Sequence, residues 1–238
     1  MKTAMCRTFK PRGFSLVEML VVLAIIVIVT SVALFGQSKF NQSLILSDTA
    51  YTVAFSLRQA QSLGLSSRLS SSQSIAYGLH FSTTGSPGLY SYILFADLSN
   101  QNAKPSSCNT GTSGTPEFKP GNCVYDYNDT TPPTDSAVQT FKFERLFYVD
   151  RFCGREASPG TTIRCANAAN TDYLSRINIA FLRPNTDVVI TGIERTIGTA
   201  VPLRNAAIYI KSPDGLAERG VCVSQVGQIF VATSTCPL

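Results

Sequence analysis

The chain has 238 residues, a formal net charge of +5 and 44% hydrophobic residues. Charged residues make up 15%, against about 25% in an ordinary globular domain. This excludes a disordered chain, which needs low hydrophobicity with high charge, and no collagen or heptad repeat runs through the sequence. Most of the net positive charge stands at the start. Lys2, Arg7, Lys10 and Arg12 occupy residues 1–13 without an acid, which leaves a balance of +1 for residues 14–238.

Phe14–Gly36 follows, with Glu18 as its only charge. As a helix rising ~1.5 Å per residue, this stretch reaches about 34 Å, enough for a hydrocarbon core of ~30 Å. Basic residues on its N-terminal side hold that side in the cytoplasm, so the rest of the chain is predicted to lie outside. A cleavable secretory signal would use the Ser31-Val32-Ala33 triplet. The apolar run, however, exceeds the ~7–15 residues of such a signal. A carboxylate inside an apolar segment is costly without a partner and therefore marks a functional residue. In the first helical turns it also gains ~0.3–1 kcal/mol from the helix dipole.

After Gly36 the pattern turns amphipathic. Leu46, Ala50, Val53, Leu57, Ala60 and Gly64 recur at alternating spacings of three and four, which predicts a helix over residues 37–65 with one face on a core. Gly36 and the Ser/Asn/Gln-containing stretch 37–43 are expected to loosen the helix between its two halves. Ser66–Ser74 reads as a serine-rich turn. Beyond it the period changes, and strands are predicted at Ile75–Phe81, Leu89–Ala96, Thr140–Val149, Leu174–Leu182, Val188–Ile190, Ala206–Lys211 and Val221–Val231. A long helix followed by strands is an α+β layout, with residues 66–238 as a β-rich head whose sheet the helix covers.

Lys10-Pro11-Arg12-Gly13-Phe14-Ser15-Leu16-Val17-Glu18-Met19-Leu20 resembles the class III signal of type IV prepilins and type II secretion pseudopilins. The resemblance implies the type IV pilin fold and a cleaved leader over residues 1–13. It places cleavage by the prepilin peptidase between Gly13 and Phe14, methylation on the new amino group of Phe14, and retention of the apolar helix. It gives Glu18 the assembly role, pairing with the N-terminal amine of a neighbouring subunit. The implied partners are the peptidase, other pilin or pseudopilin subunits and the inner-membrane assembly platform. The implied location is a single-pass inner-membrane protein with its leader in the cytoplasm and its head outside, then a pilus or a periplasmic pseudopilus.

Ile177–Asn185, Ala207–Ile210 and Val221–Ile229 are similar to the GspH/FimT type of minor pilin and pseudopilin, with Asn185 where glycine is usual and Gln228 where arginine is.

Cys6 lies in the leader. Cys108, Cys123, Cys153, Cys165, Cys222 and Cys236 remain, an even set in an exported domain, which predicts disulfides. Six cysteines allow 15 connectivities. Locality favours Cys108–Cys123, Cys153–Cys165 and Cys222–Cys236, each worth ~3 kcal/mol in the chain-entropy model. A zinc site is the rival, but no Cys-x-x-Cys pair or neighbouring histidine supports it, and no metal or other cofactor is expected.

Asp97–Gln139 is predicted as a long polar loop. Asp126–Thr130 faintly resembles a calcium loop, yet Thr131 stands at the glycine position and Ala137 at the bidentate glutamate position, so a solvated turn is the better reading. His80 lies in a strand pattern and reads as structural. No nucleophile elbow, phosphate loop or zinc-protease motif is present, so no catalysis is expected.

DNA binding for uptake is an alternative function, but Val221–Leu238 carries no charge, and the densest basic stretch, Lys142–Arg164, also holds Glu144, Asp150 and Glu156. DNA is therefore weighed as a partner and not favoured. A signal-anchored exported protein unrelated to filaments is the second alternative.

Overall fold

The computed structural model describes residues 13–66, 75–84, 88–98, 121–126, 134–157, 162–167, 173–182, 187–233 and 235–238. The chain divides into two compact units, Met1–Ser43 and Leu44–Leu238.

Helix α1 spans Leu16–Ser66, 51 residues. Ser15 holds the N-cap position, because the Met19 N–H donates to its carbonyl oxygen at 3.2 Å. Glu18 follows three residues later, the spacing of a capping box. The helix continues through Gly36 and residues 37–43, where the sequence predicted loosening; a single glycine costs only about 1 kcal/mol in a helix.

In the second unit the strands are β1 (Ala76–Ser82), β2 (Ser91–Asp97), β3 (Ser136–Lys142), β4 (Tyr148–Glu156), β5 (Ile163–Asn167), β6 (Leu174–Phe181), β7 (Val188–Glu194), β8 (Ala200–Lys211), β9 (Glu218–Ser224) and β10 (Ile229–Ala232). They form one ten-stranded sheet in the order β10-β9-β8-β7-β6-β1-β2-β3, with β4 pairing both β5 and β8. Neighbours along this path pair antiparallel. Strand β8 is shared. Its Ala200–Leu203 segment pairs with β7, and its Leu203–Lys211 segment pairs with β4. A register shift in β4 between Arg155 and Glu156 marks the handover.

The predicted amphipathic face supplies the core. Leu46, Ala50, Val53, Leu57 and Ala60 are fully buried against Leu79, Phe81, Tyr92, Leu94, Ile177 and Ile179, alternate residues on one face of the sheet. Gly64 sits where the helix meets β6 most closely. A Cβ there would lie 2.3 Å from the Phe181 carbonyl oxygen. The hydroxyls of Ser56 and Tyr92 meet at 2.9 Å inside this interface.

Four expectations change. The single strand expected at Thr140–Val149 is two, β3 and β4, separated by a tight turn in which Arg145 (φ 52°) and Leu146 (φ 62°) are left-handed. The Phe147 N–H closes this turn on the Glu144 carbonyl at 3.1 Å. No Asn-Gly signal announces it; burial of Phe147 below and bonds from Phe143 and Val149 to the carbonyls of Tyr90 and Leu89 hold it in place. Strand β5 lies where none was expected, as the cross-strand partner of β4. Within the predicted loop 97–139, β3 begins at Ser136 and Gly121–Asp126 is buried on the second face of the sheet. Val221–Val231 is the hairpin β9–β10, turned at Gly227 (φ 83°).

Candidate assembly segment and the polar face of the head

Leu16 to Val32 begins α1. Leu16, Val17, Leu20, Ile25, Val29 and Val32 are all exposed, although they point around the helix in every direction. A helix apolar on all sides needs an apolar surrounding: lipid or other helices. The hydroxyls of this stretch are consumed locally, Thr30 donating to the Ile26 carbonyl and Ser31 to the Val27 carbonyl, each at 2.7 Å. Such bonds leave no hydroxyl seeking water. Phe14 is 74% exposed, and Glu18, in the first turn, has no ion-pair partner among the described residues.

Among the described residues no helix is long and apolar enough to cross a membrane. The sequence stays apolar through Ala33, Leu34 and Phe35 in the same helix.

In the head, two disulfides close the loops that locality suggested. Cys153–Cys165 links directly opposed residues of β4 and β5, and Cys222–Cys236 ties the C-terminal segment to β9. Both stand on the same face of the sheet, with Ala207 between Cys153 and Cys222 in the register. Cys123 is disulfide-bonded; its expected partner Cys108 lies outside the described residues, as do residues 1–12, Tyr127–Thr130 and Asn185.

Three arginines of the Lys142–Arg164 stretch, Arg151, Arg155 and Arg164, are engaged, while Arg145 is exposed in the turn before β4. Arg151 grips Glu218 through two bonds of 2.7 Å and lies 4.1 Å over the Tyr209 ring. Arg164 meets Glu156 at 2.7 Å, which with its neighbours raises its pKa, and Arg155 donates to the Leu238 carbonyl oxygen.

Opposite the helix, the sheet carries a buried polar row that the sequence did not single out beyond His80. His80, Asn178 and Thr191 are cross-strand neighbours on β1, β6 and β7, all fully buried. His80 Nδ1 lies 2.7 Å from Asn178 Oδ1, which also accepts the Tyr125 N–H at 3.2 Å. An amide oxygen only accepts, so Nδ1 carries the proton and Nε2 is bare. Nε2 has no partner. Burial pushes the His80 pKa down to about 4, with Arg176 acting in the same direction and the Asn178 bond opposing.

Beside this row, Asp97 accepts the N–H groups of Asn122 (3.1 Å) and Cys123 (2.5 Å), while Asp135 accepts those of Leu98 and Asp126. Burial, then the nearby Asp135, raises the Asp97 pKa well above the carboxylate range. These carboxylates hold the covering segment 121–126 to the sheet. Asp126, the first residue of the faint calcium motif, accepts the Asn122 side-chain amide at 2.9 Å.

The helix thus has a capped, acid-bearing first turn, and the second unit is a disulfide-bonded α+β head. Residues 9–34 match the prokaryotic N-terminal methylation motif, and the chain thereby carries the signal of the type IV pilin and pseudopilin superfamily. No curated protein and no solved structure matches it. The motif supports a type IV pilin-like exported protein and implies processing by the prepilin peptidase and assembly with other pilins.

Proposed function

We propose that this protein is a minor pilin or pseudopilin of the GspH/FimT type, a structural and non-enzymatic subunit of a type IV pilus or a type II secretion pseudopilus. The observation that carries this reading is the methylation motif over residues 9–34 running directly into a helix whose apolar side chains are exposed all round. The precursor is a single-pass inner-membrane protein. Its leader is cut between Gly13 and Phe14, and the Phe14 amine is methylated. Glu18 then pairs with the N-terminal amine of a neighbouring subunit at comparable depth, where a low dielectric makes an opposite charge valuable and a lone carboxylate costly.

Mass spectrometry of the mature N-terminus tests the first step. A methylated start at Phe14 supports it, and a start at Leu34 refutes it. Glu18→Gln tests the second: the variant is cleaved normally and is missing from sheared fibres. Incorporation at the wild-type level would remove Glu18 from assembly. The engaged arginines of β4 and β5 give DNA no clustered basic surface there, and uptake of DNA is not carried forward.

A further inference from the structure

The head has an open sheet edge beside an aromatic groove. Strand β10 pairs with β9 on one side, in the register Ile229↔Val223, Phe230↔Cys222 and Val231↔Val221. The Ser224 N–H donates to the Gln228 carbonyl, so by antiparallel alternation Phe230 is the next residue bonded to β9. Ile229 and Val231 therefore turn their backbone groups away from the sheet. Arg58 of α1 agrees with this: its Nη2 donates to the Ile229 carbonyl oxygen at 3.4 Å. Between the edge and the helix lies a cavity of about 460 Å³ lined by Tyr51, Phe55, Arg58, Phe230 and Val231 among others. The helix aromatics beside it are left to solvent, Tyr51 63% and Phe55 69% exposed. The Arg58 guanidinium is exposed and has no carboxylate partner among the described residues.

We propose that this groove binds an extended, acid-bearing peptide strand of a partner protein, which adds to the sheet at β10. Three features select that occupant over a helix. By that alternation the Val231 N–H and C=O point away from β9 and ask for main-chain partners, which a helix has already used within itself. Strand β10 is four residues long, so an added strand of that length can run beside it. Arg58 stands at the edge and presents a planar cation to a carboxylate side chain of the incoming strand, while Tyr51 and Phe55 receive its apolar neighbours. The inference concerns the head alone and stands whether or not the chain enters a filament.

The test uses the full-length protein in detergent micelles and three blocked pentapeptides of valine and threonine with a central glutamate, glutamine or lysine. Amide exchange and chemical shifts are followed by NMR. The glutamate peptide is expected to bind, to slow exchange of the Val231 amide at least tenfold at saturation, and to leave the already bonded Phe230 amide unchanged. Arg58→Gln weakens this binding at least fivefold and abolishes the preference for glutamate over lysine. Val231→Pro removes the outward N–H without touching the ladder to β9, and abolishes the binding while the thermal melt of the head stays within a few degrees.

Equal binding of the glutamate and lysine peptides, binding without slowed Val231 exchange, or no shift with any peptide overturns the proposal. A self-association that alone protects Val231 would assign the edge to a second copy and overturn it as well.

Discussion

The head should lose stability as the pH falls through the range in which an ordinary histidine charges, and His80 should be the cause. Its imidazole is fully buried, its Nε2 faces no acceptor, and its pKa falls from 6.5 to about 4. The unfolded chain takes up the proton near pH 6.5, while the folded chain refuses it until about 4. The unfolded state therefore binds more protons in that window, and stability rises with pH across it and is lost as the pH falls. A displacement of about 2.5 units at 1.36 kcal/mol each amounts to about 3 kcal/mol, with a steepest slope near 1.4 kcal/mol per pH unit.

Asp97 works the other way. Its raised pKa keeps it protonated in the fold where the unfolded chain has already ionised, so it favours the folded state on acidification and flattens the raw profile. His80→Phe separates the two. The ring keeps its contact with Tyr125, 5.2 Å away in the native pair, and Asn178 Oδ1 retains the Tyr125 N–H. Urea unfolding of wild type and variant between about pH 7 and pH 4 should show the wild type losing about 3 kcal/mol more than the variant. Parallel profiles would refute the assignment. So would an imidazole resonance of His80 that titrates near 6.5.

Gly64→Ala should destabilise the head by about 1–3 kcal/mol in chemical denaturation, although alanine is the better helix former, because the new methyl meets the Phe181 backbone oxygen rather than a movable side chain. Ser62→Ala, on an exposed position of the same turn, should be neutral or slightly stabilising. Replacing Cys222 and Cys236 together by alanine should cost about 3 kcal/mol and lower Tm by roughly 6–12 °C, and limited proteolysis should then release the C-terminal segment that the Cys236 N–H to Tyr209 bond no longer holds alone. Tyr92 donates to Ser56, whose own hydroxyl is committed to the Thr52 carbonyl. Burial pushes its pKa up to about 12, so the unfolded phenol ionises first and wild-type stability should drop by about 2–3 kcal/mol between pH ~10 and ~12; Tyr92→Phe should lose that drop and pay about 1 kcal/mol at neutral pH.

The helix and its buried face were legible because both signals are local. Leu46, Ala50, Val53, Leu57 and Ala60 repeat at the period of a helix, and nothing distant is needed to read them. The prepilin-type segment was legible for a different reason: its glycine, phenylalanine and glutamate stand at a fixed spacing. Where tertiary contacts decide, the sequence was silent. Arg145 and Leu146 enter left-handed conformations without a glycine or asparagine, held by Phe147 and by bonds to the Leu89–Tyr90 turn. Strand β5 is too short and too polar to announce itself, and exists as the partner of β4, braced by Cys165. The row His80–Asn178–Thr191 joins residues about a hundred positions apart, and only strand pairing brings them into register.

The charge pattern bears on what such a head can recognise. Its arginines are largely spent inside the molecule: Arg151 on Glu218 and a tyrosine face, Arg164 on Glu156 and Tyr173, Arg155 on the C-terminal residue. With a balance of only +1 beyond residue 13, no strong field extends from the head, and long-range steering of a partner is weak. Recognition then has to come from short-range features: unsatisfied backbone at a strand edge, exposed aromatic faces, and a cation without a carboxylate. These coincide at β10 and Arg58. The basic residues that made the whole chain look mildly cationic lie ahead of Phe14, in the predicted leader, outside the sequence of the head.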